Sequence, residues 1–153
     1  MGYTFKKTVW PATPIDPAVK KLIERYYVLA DTNSPESADL LADEVFTETG
    51  MMKGAVKSFS GSKEIRSSRN GVPGIIISRR HEIHRVFVAD DKGHDLMLIG
   101  TIEIGLKGGR AVPGEFATRM VVDDASIRKG SPRLSFSQVY TDTAPLAAAM
   151  KEG

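Results

Sequence analysis

The chain has 153 residues, 41% hydrophobic and 26% charged, a balance that suits a folded globular domain and excludes a largely disordered one. It has no cysteine, which rules out disulfides, thiolate metal sites and a thiol nucleophile. Lys plus Arg outnumbers Asp plus Glu by only 21 to 19, a formal charge of +2, so the broad basic face that nucleic acid requires is not expected.

Asp16-Pro17 opens the first element, Asp being a good N-cap and proline fitting the first helical turn. Val19, Leu22, Ile23, Tyr26 and Ala30 then recur at helical spacing and predict one buried face; Tyr27 widens it and Asp31 stands one turn further on. Ser34-Pro35 repeats the cap-and-proline signal for a short helix through Leu41. Val45 to Thr49 reads as a brief strand, and Ser62 is expected to cap a third helix around Ile65. From Ile75 the period becomes extended. Ser78 to Ala89 ends in the turn Asp90-Asp91-Lys92-Gly93, with Arg79-Arg80 expected as a solvated strand entry. Asp95 to Leu106 puts Leu96, Leu98, Gly100, Ile102, Ile104 and Leu106 on one face and Met97, Ile99, Thr101 and Glu103 on the other. A hairpin at Lys107-Gly108-Gly109-Arg110 leads to the strands Glu115 to Val122 and Arg133 to Thr141.

Strands joined by tight turns predict an antiparallel meander, and helices before strands predict an α+β domain, a curved sheet with helices on one face. A single domain over 1–153 is expected, with 1–14 as an extended N-terminal segment. No apolar run approaches the ~18 residues of a membrane span, and no signal-like stretch opens the chain, so the expected location is the cytoplasm.

Several stretches together resemble the SnoaL-like branch of the nuclear-transport-factor-two-like superfamily. They are the helix end Tyr26-Tyr27-Val28-Leu29-Ala30-Asp31, the segment Leu40 to Thr47, the turn Phe59-Ser60-Gly61, the strand opening Ser78 to Ile83, and the closing strand Ser135 to Asp142. The resemblance implies a cone-shaped curved antiparallel sheet with the N-terminal helices on its concave face, enclosing a pocket. Relatives in that superfamily include scytalone dehydratase, ketosteroid isomerase, limonene-epoxide hydrolase and polyketide cyclases. Asp31 and His81 match the dehydratase pattern of an Ala-Asp at the first helix end and a His opening a strand, both lining the site. The second histidine of that pattern has no counterpart between Asp95 and Leu106. The Asp–Arg–Asp set of the epoxide hydrolases is not found either. The branch also implies secondary metabolism and a homodimer through the convex sheet face, where Met97, Ile99 and Thr101 would suit.

Histidine suits proton transfer near neutrality, and Asp31 could act as a base or orient His81; a turn aspartate and a structural histidine are the plainer alternatives. On a regular strand His81 shares its face with Ile83, Arg85 and Phe87, while His84 faces the other way, so His-x-x-His cannot chelate one metal. Tyr27 and Tyr140 are candidate phenol donors or simple core residues. Arg119 could hold an anionic group or pair with Glu103, and Gln138 could add a polar group to the pocket. Gly105, Gly108 and Gly109 form a turn rather than a phosphate loop, and no Gly-x-Ser-x-Gly elbow occurs. The expectation is therefore a cofactor-free acid/base enzyme, a dehydratase, isomerase or cyclase, acting on a small apolar carbonyl or hydroxyl metabolite. Asp31, His81 and Tyr27 would be catalytic, and Tyr140, Arg119, Phe87 and Gln138 would bind substrate, with no metal, nucleic acid or membrane involved. The alternative is a non-catalytic ligand-binding or dimerisation module.

Overall fold

The computed structural model describes residues 2–152. Asp16 caps α1 (Pro17–Asp31), its carboxylate accepting the Ala18 amide at 2.8 Å. Val19, Leu22, Ile23, Tyr27 and Leu29 form the buried face of this helix. α2 (Glu36–Leu40) widens into a π-turn over Leu41–Val45 and leads to β1 (Phe46–Lys53). A hairpin adds β2 (Ser58–Ser60), and α3 (Gly61–Arg66) follows directly. The cap of α3 is Ser60, not Ser62. Gly61, at φ 79°, turns the chain into the helix, and the Glu64 carboxylate accepts the Ser60 amide at 2.6 Å, leaving Ser62 inside the first turn.

The second half supplies β3 (Ile76–Val88), β4 (Asp95–Leu106), β5 (Ala111–Val122), α4 (Asp124–Arg128), β6 (Leu134–Thr141) and α5 (Ala144–Glu152). The sheet order is β2-β1-β6-β5-β4-β3. β3 to β6 form the antiparallel meander, and β1 joins β6 as one parallel pair. The inner face of the sheet presents Leu96, Leu98, Met120 and Leu134 to Val19, Ile23 and Tyr27 of α1 in one core. At the other end Ile76, Leu106 and Val112 meet Ala149 of α5 in a second, smaller one. Among the described residues no helix is long and apolar enough to cross a membrane.

Two departures from the expected pattern shape the site. β3 is bulged: Ile83 pairs with Gly100, but the next partner of Ile99 is Arg85, so His84 is an extra residue. The bulge shifts the alternation by one, turning Val86 inward and leaving Arg85 and Phe87 exposed. Phe87 therefore does not share a face with His81. The expected extended segment 1–14 is, over its described residues 2–14, also not simply extended. Tyr3–Phe5 is a 3₁₀ turn whose Phe5 is buried, and Thr8 Oγ1 donates to the Ile83 carbonyl at 2.6 Å. The Val9 amide then donates to the His84 carbonyl at 2.9 Å, and Val9 accepts the Val86 amide at 3.1 Å. The segment thus straps the outer edge of β3 at its bulge and gives that edge backbone partners.

Candidate active site

α1 ends where its last residue, Asp31, meets the first half of β3. The Arg69 guanidinium fixes that end, donating to the carbonyls of Leu29 and Ala30 at 2.9 Å each and to Ser37 Oγ at 3.2 Å. The Asp31 carboxylate accepts the His81 backbone amide on Oδ2 at 2.9 Å and faces His81 Nδ1 through Oδ1 at 2.5 Å. Tyr3 Oη also donates to Oδ2. Both side chains are withdrawn from solvent, Asp31 at 6% and His81 at 13% exposure. Because an ionised carboxylate only accepts, this network assigns the ring proton to Nδ1 and leaves the Nε2 lone pair free. Nε2 has no partner among the described residues. The ring is held by Tyr27 and by Phe116, with centroids 5.1 Å away in each case.

His81 forms part of the wall of a cavity of about 310 Å³. Ala30, Leu41, Met52, Ile102, Ile104 and Val139 make that wall largely apolar, and Pro145 and Leu146 of α5 border it. Its polar members include Tyr26, Arg69, Arg79, Asp142 and Thr143. Burial, the hydrogen bond to Asp31 and the charge of Asp31 push the Tyr3 phenol from 10.0 up to about 12, so it remains a donor throughout the neutral range.

The remaining expected site residues lie elsewhere. Tyr27 is in the core beneath His81, at 1% exposure, and its hydroxyl has no hydrogen-bond partner. Burial raises its pKa well above the usual value; the nearby Thr118 hydroxyl tempers that shift without reaching hydrogen-bonding geometry. The phenol on the cavity wall is instead that of Tyr26, one residue and about 100° of helix rotation away. It too is pushed upward by burial. On β6, Val139 and Thr141 line the cavity, so Gln138 and Tyr140 belong to the convex face. Tyr140 there borders a shallow depression with His84 and Ile99. Phe87 is on the same outer side because of the bulge. Arg119 makes a two-pronged pair with Asp95, at 3.0 and 2.8 Å. Glu103 was its expected partner, but the register sets Glu103 against Pro113 and Arg119 against Met97, which leaves Asp95 as the diagonal neighbour. His84 faces outward and meets Thr101 Oγ1 at 3.0 Å. No cluster of three metal-ligating side chains occurs among the described residues.

Arg79 is not the solvated strand entry that was expected: it turns inward and lines the cavity. Its spacing of two from His81 was the available signal, since such residues share a strand face. Tyr3 gave no signal in a segment without periodicity.

This chain, an α-helical layer on a six-stranded sheet with β1 parallel to β6, is similar in fold to nuclear transport factor 2 from Cryptosporidium parvum. That structure superposes with a TM-score of 0.61 at 18% identity, over 83% of this chain and 94% of that one. The chain has the nuclear-transport-factor-2-like fold. A candidate SnoaL-like polyketide cyclase from Jannaschia sp. CCS1 shares the fold at TM-score 0.63 and 13% identity, over 92% of this chain and 94% of the other. So does a candidate scytalone dehydratase from Novosphingobium aromaticivorans, at TM-score 0.58 and 14% identity, over 82% of each chain. No family model matches the sequence, and no curated protein matches it either. At these identities the fold is common ground and the chemistry is not; the fold carries enzymes and non-enzymes alike.

Proposed function

We propose that the protein is a cofactor-free acid/base enzyme, of dehydratase, isomerase or cyclase type, acting on a small carbonyl or hydroxyl metabolite of secondary metabolism. The observation that carries this reading is the 2.5 Å pairing of His81 Nδ1 with a nearly buried Asp31, with His81 in the wall of a largely apolar cavity and its Nε2 unpartnered among the described residues. In the proposed step, His81 Nε2 takes a proton from carbon or hydroxyl while Asp31 holds the ring in the required tautomer and stabilises the imidazolium that forms. Tyr3 holds Asp31. The Tyr26 phenol on the same wall would donate to the oxyanion that develops as the proton leaves. The apolar surroundings strengthen these interactions by excluding water. Had the carboxylate and imidazole tips stood apart, a simple binding module would have been the better reading; their direct contact favours catalysis.

Deuterium uptake from D₂O by a panel of small cyclic ketones and β-hydroxyketones, read by mass spectrometry, tests the reading. On any compound the wild-type protein exchanges, His81→Ala and Asp31→Asn should each lower the rate by ~10²–10⁴. Variants exchanging at the wild-type rate would contradict it.

The convex face supports a homodimer as the working form. Phe87, Ile99 and Tyr140 are exposed there at 46%, 39% and 50%, an apolar set on a sheet face that a second copy could cover. Sedimentation at micromolar concentration should show a dimer of wild-type protein and a monomer of Ile99→Lys; a wild-type monomer would rule the dimer out.

A further inference from the structure

The cavity wall carries a cation, Arg79, that forms no ion pair among the described residues. Arg79 precedes His81 by two residues on β3, so the two side chains leave the same face of the strand from Cα atoms about 7 Å apart. The other guanidinium on the wall, Arg69, is committed to the carbonyls of Leu29 and Ala30 and to Ser37. The Arg79 guanidinium is not committed: among the described residues no carboxylate lies within 4.0 Å of it and no side-chain hydrogen bond engages it. The nearby acids are occupied. Asp31 serves His81 and Tyr3, and Asp142 accepts the Ala144 amide at 3.0 Å just before α5. Burial first, and then the like charge of Arg69, disfavour the charged form of Arg79, with Asp31 offsetting part of this. A planar fork of donors held in an apolar cavity against those forces matches the geometry of a carboxylate.

We infer that the cavity binds a carboxylate-bearing small molecule, its carboxylate forked on Arg79 and its apolar body extending to His81 Nε2. This rests on the proton-transfer reading above and names its substrate class, an apolar carbonyl or hydroxyl compound with a carboxylate handle. The strand spacing places that handle several bonds from the reacting carbon. Arg79 is thus a binding and specificity residue, and a remote anion of this kind supplies binding energy that can be used to position the reacting end.

Calorimetric titration with 1-naphthoate and 1-naphthamide, which share a ring system and differ in charge, tests the inference without any turnover. Wild-type protein should bind the naphthoate at least ~10-fold more tightly, and Arg79→Gln should abolish that preference while changing naphthamide affinity by no more than ~3-fold. Arg79→Lys, which keeps the charge but loses the fork, should retain part of the preference. Raising ionic strength on the wild-type protein should weaken naphthoate alone, which provides a reading even if a variant does not fold. Naphthoate that binds no more tightly than naphthamide, fails to bind at millimolar concentration, or keeps its preference in Arg79→Gln overturns the inference. A preference that persists while His81→Ala leaves deuterium exchange untouched would sink the catalytic reading and leave the carboxylate site standing.

Discussion

Asp31 gathers most of the polar contacts at the site. Its carboxylate sits at a helix C-terminus, where the backbone dipole disfavours a negative charge, and three donors compensate: Tyr3 Oη, the His81 amide and His81 Nδ1. Removing one of them should be felt at both neighbours. Tyr3→Phe should cost about 1 kcal/mol of stability by urea unfolding and lower turnover about 10-fold, since Asp31 would orient His81 less firmly. It should also change the alkaline limb. A phenol raised from 10.0 to about 12 favours its protonated form in the folded state, so its stabilisation is full below pH 10 and is lost as pH rises towards 12. Tyr3→Phe should flatten the fall of stability across that window; an unchanged limb would show that Tyr3 does not hold Asp31. Tyr27 is the opposite case, because its buried hydroxyl has no partner. Tyr27→Phe should leave stability unchanged or raise it by up to about 1 kcal/mol, with turnover intact, and a large loss of turnover would restore Tyr27 to the chemistry. The placement of Asp31 at a helix end and of His81 on a strand was legible in the sequence, while the idea that the two meet came from the resemblance. The choice between Tyr26 and Tyr27 was not legible, because both fall within one apolar stripe and only packing decides which points into the core.

At the scale of elements, the bulge in β3 decides what faces the cavity. Strict alternation described β4 correctly, where buried Leu96, Leu98 and Leu106 share a face. The same rule failed on β3 beyond Ile83, because one extra residue inverts every later side chain, and it misplaced Phe87. The trace of the bulge in the sequence is Gly100, opposite it. A Cβ at Gly100 would lie 2.1 Å from the Glu82 carbonyl oxygen, backbone that cannot step aside. Gly100→Ala should therefore destabilise the fold by about 1–3 kcal/mol in denaturant unfolding, more than Gly108→Ala in the open hairpin turn should if its positive φ is the only burden. Equal effects would mean that the close approach at the bulge does not constrain the strand. β2 and α4 escaped the sequence pattern because neither is long enough to show a period, and α5 because its run of Ala147, Ala148 and Ala149 leaves little contrast between its faces.

For the whole molecule, the layered α+β plan was legible from the change of hydrophobic period near Ile75, while its closure was not. Closure comes from the two ends of the chain. The N-terminal segment straps β3 at its bulge and delivers Tyr3 to Asp31, and α5 packs Ala149 on Ile76 and Leu106 beside the cavity. Such contacts join residues far apart in sequence and leave no periodic trace. Deleting residues 2–8 should consequently lower turnover more than Tyr3→Phe does and reduce the melting temperature as well, since Phe5 and Thr8 are lost with the phenol. A truncated protein equal to the point variant in both respects would confine the role of the segment to Tyr3.

The tautomer of His81 tests the central claim most directly, because the proposed chemistry needs the proton on Nδ1 and the lone pair on Nε2. Nitrogen-15 correlation spectra of histidine-labelled protein at neutral pH should show His81 with a protonated Nδ1 and an unprotonated Nε2, and Asp31→Asn should disturb that pattern. A His81 ring protonated on Nε2 and bare on Nδ1 would contradict the account, since the base would then face the wrong way.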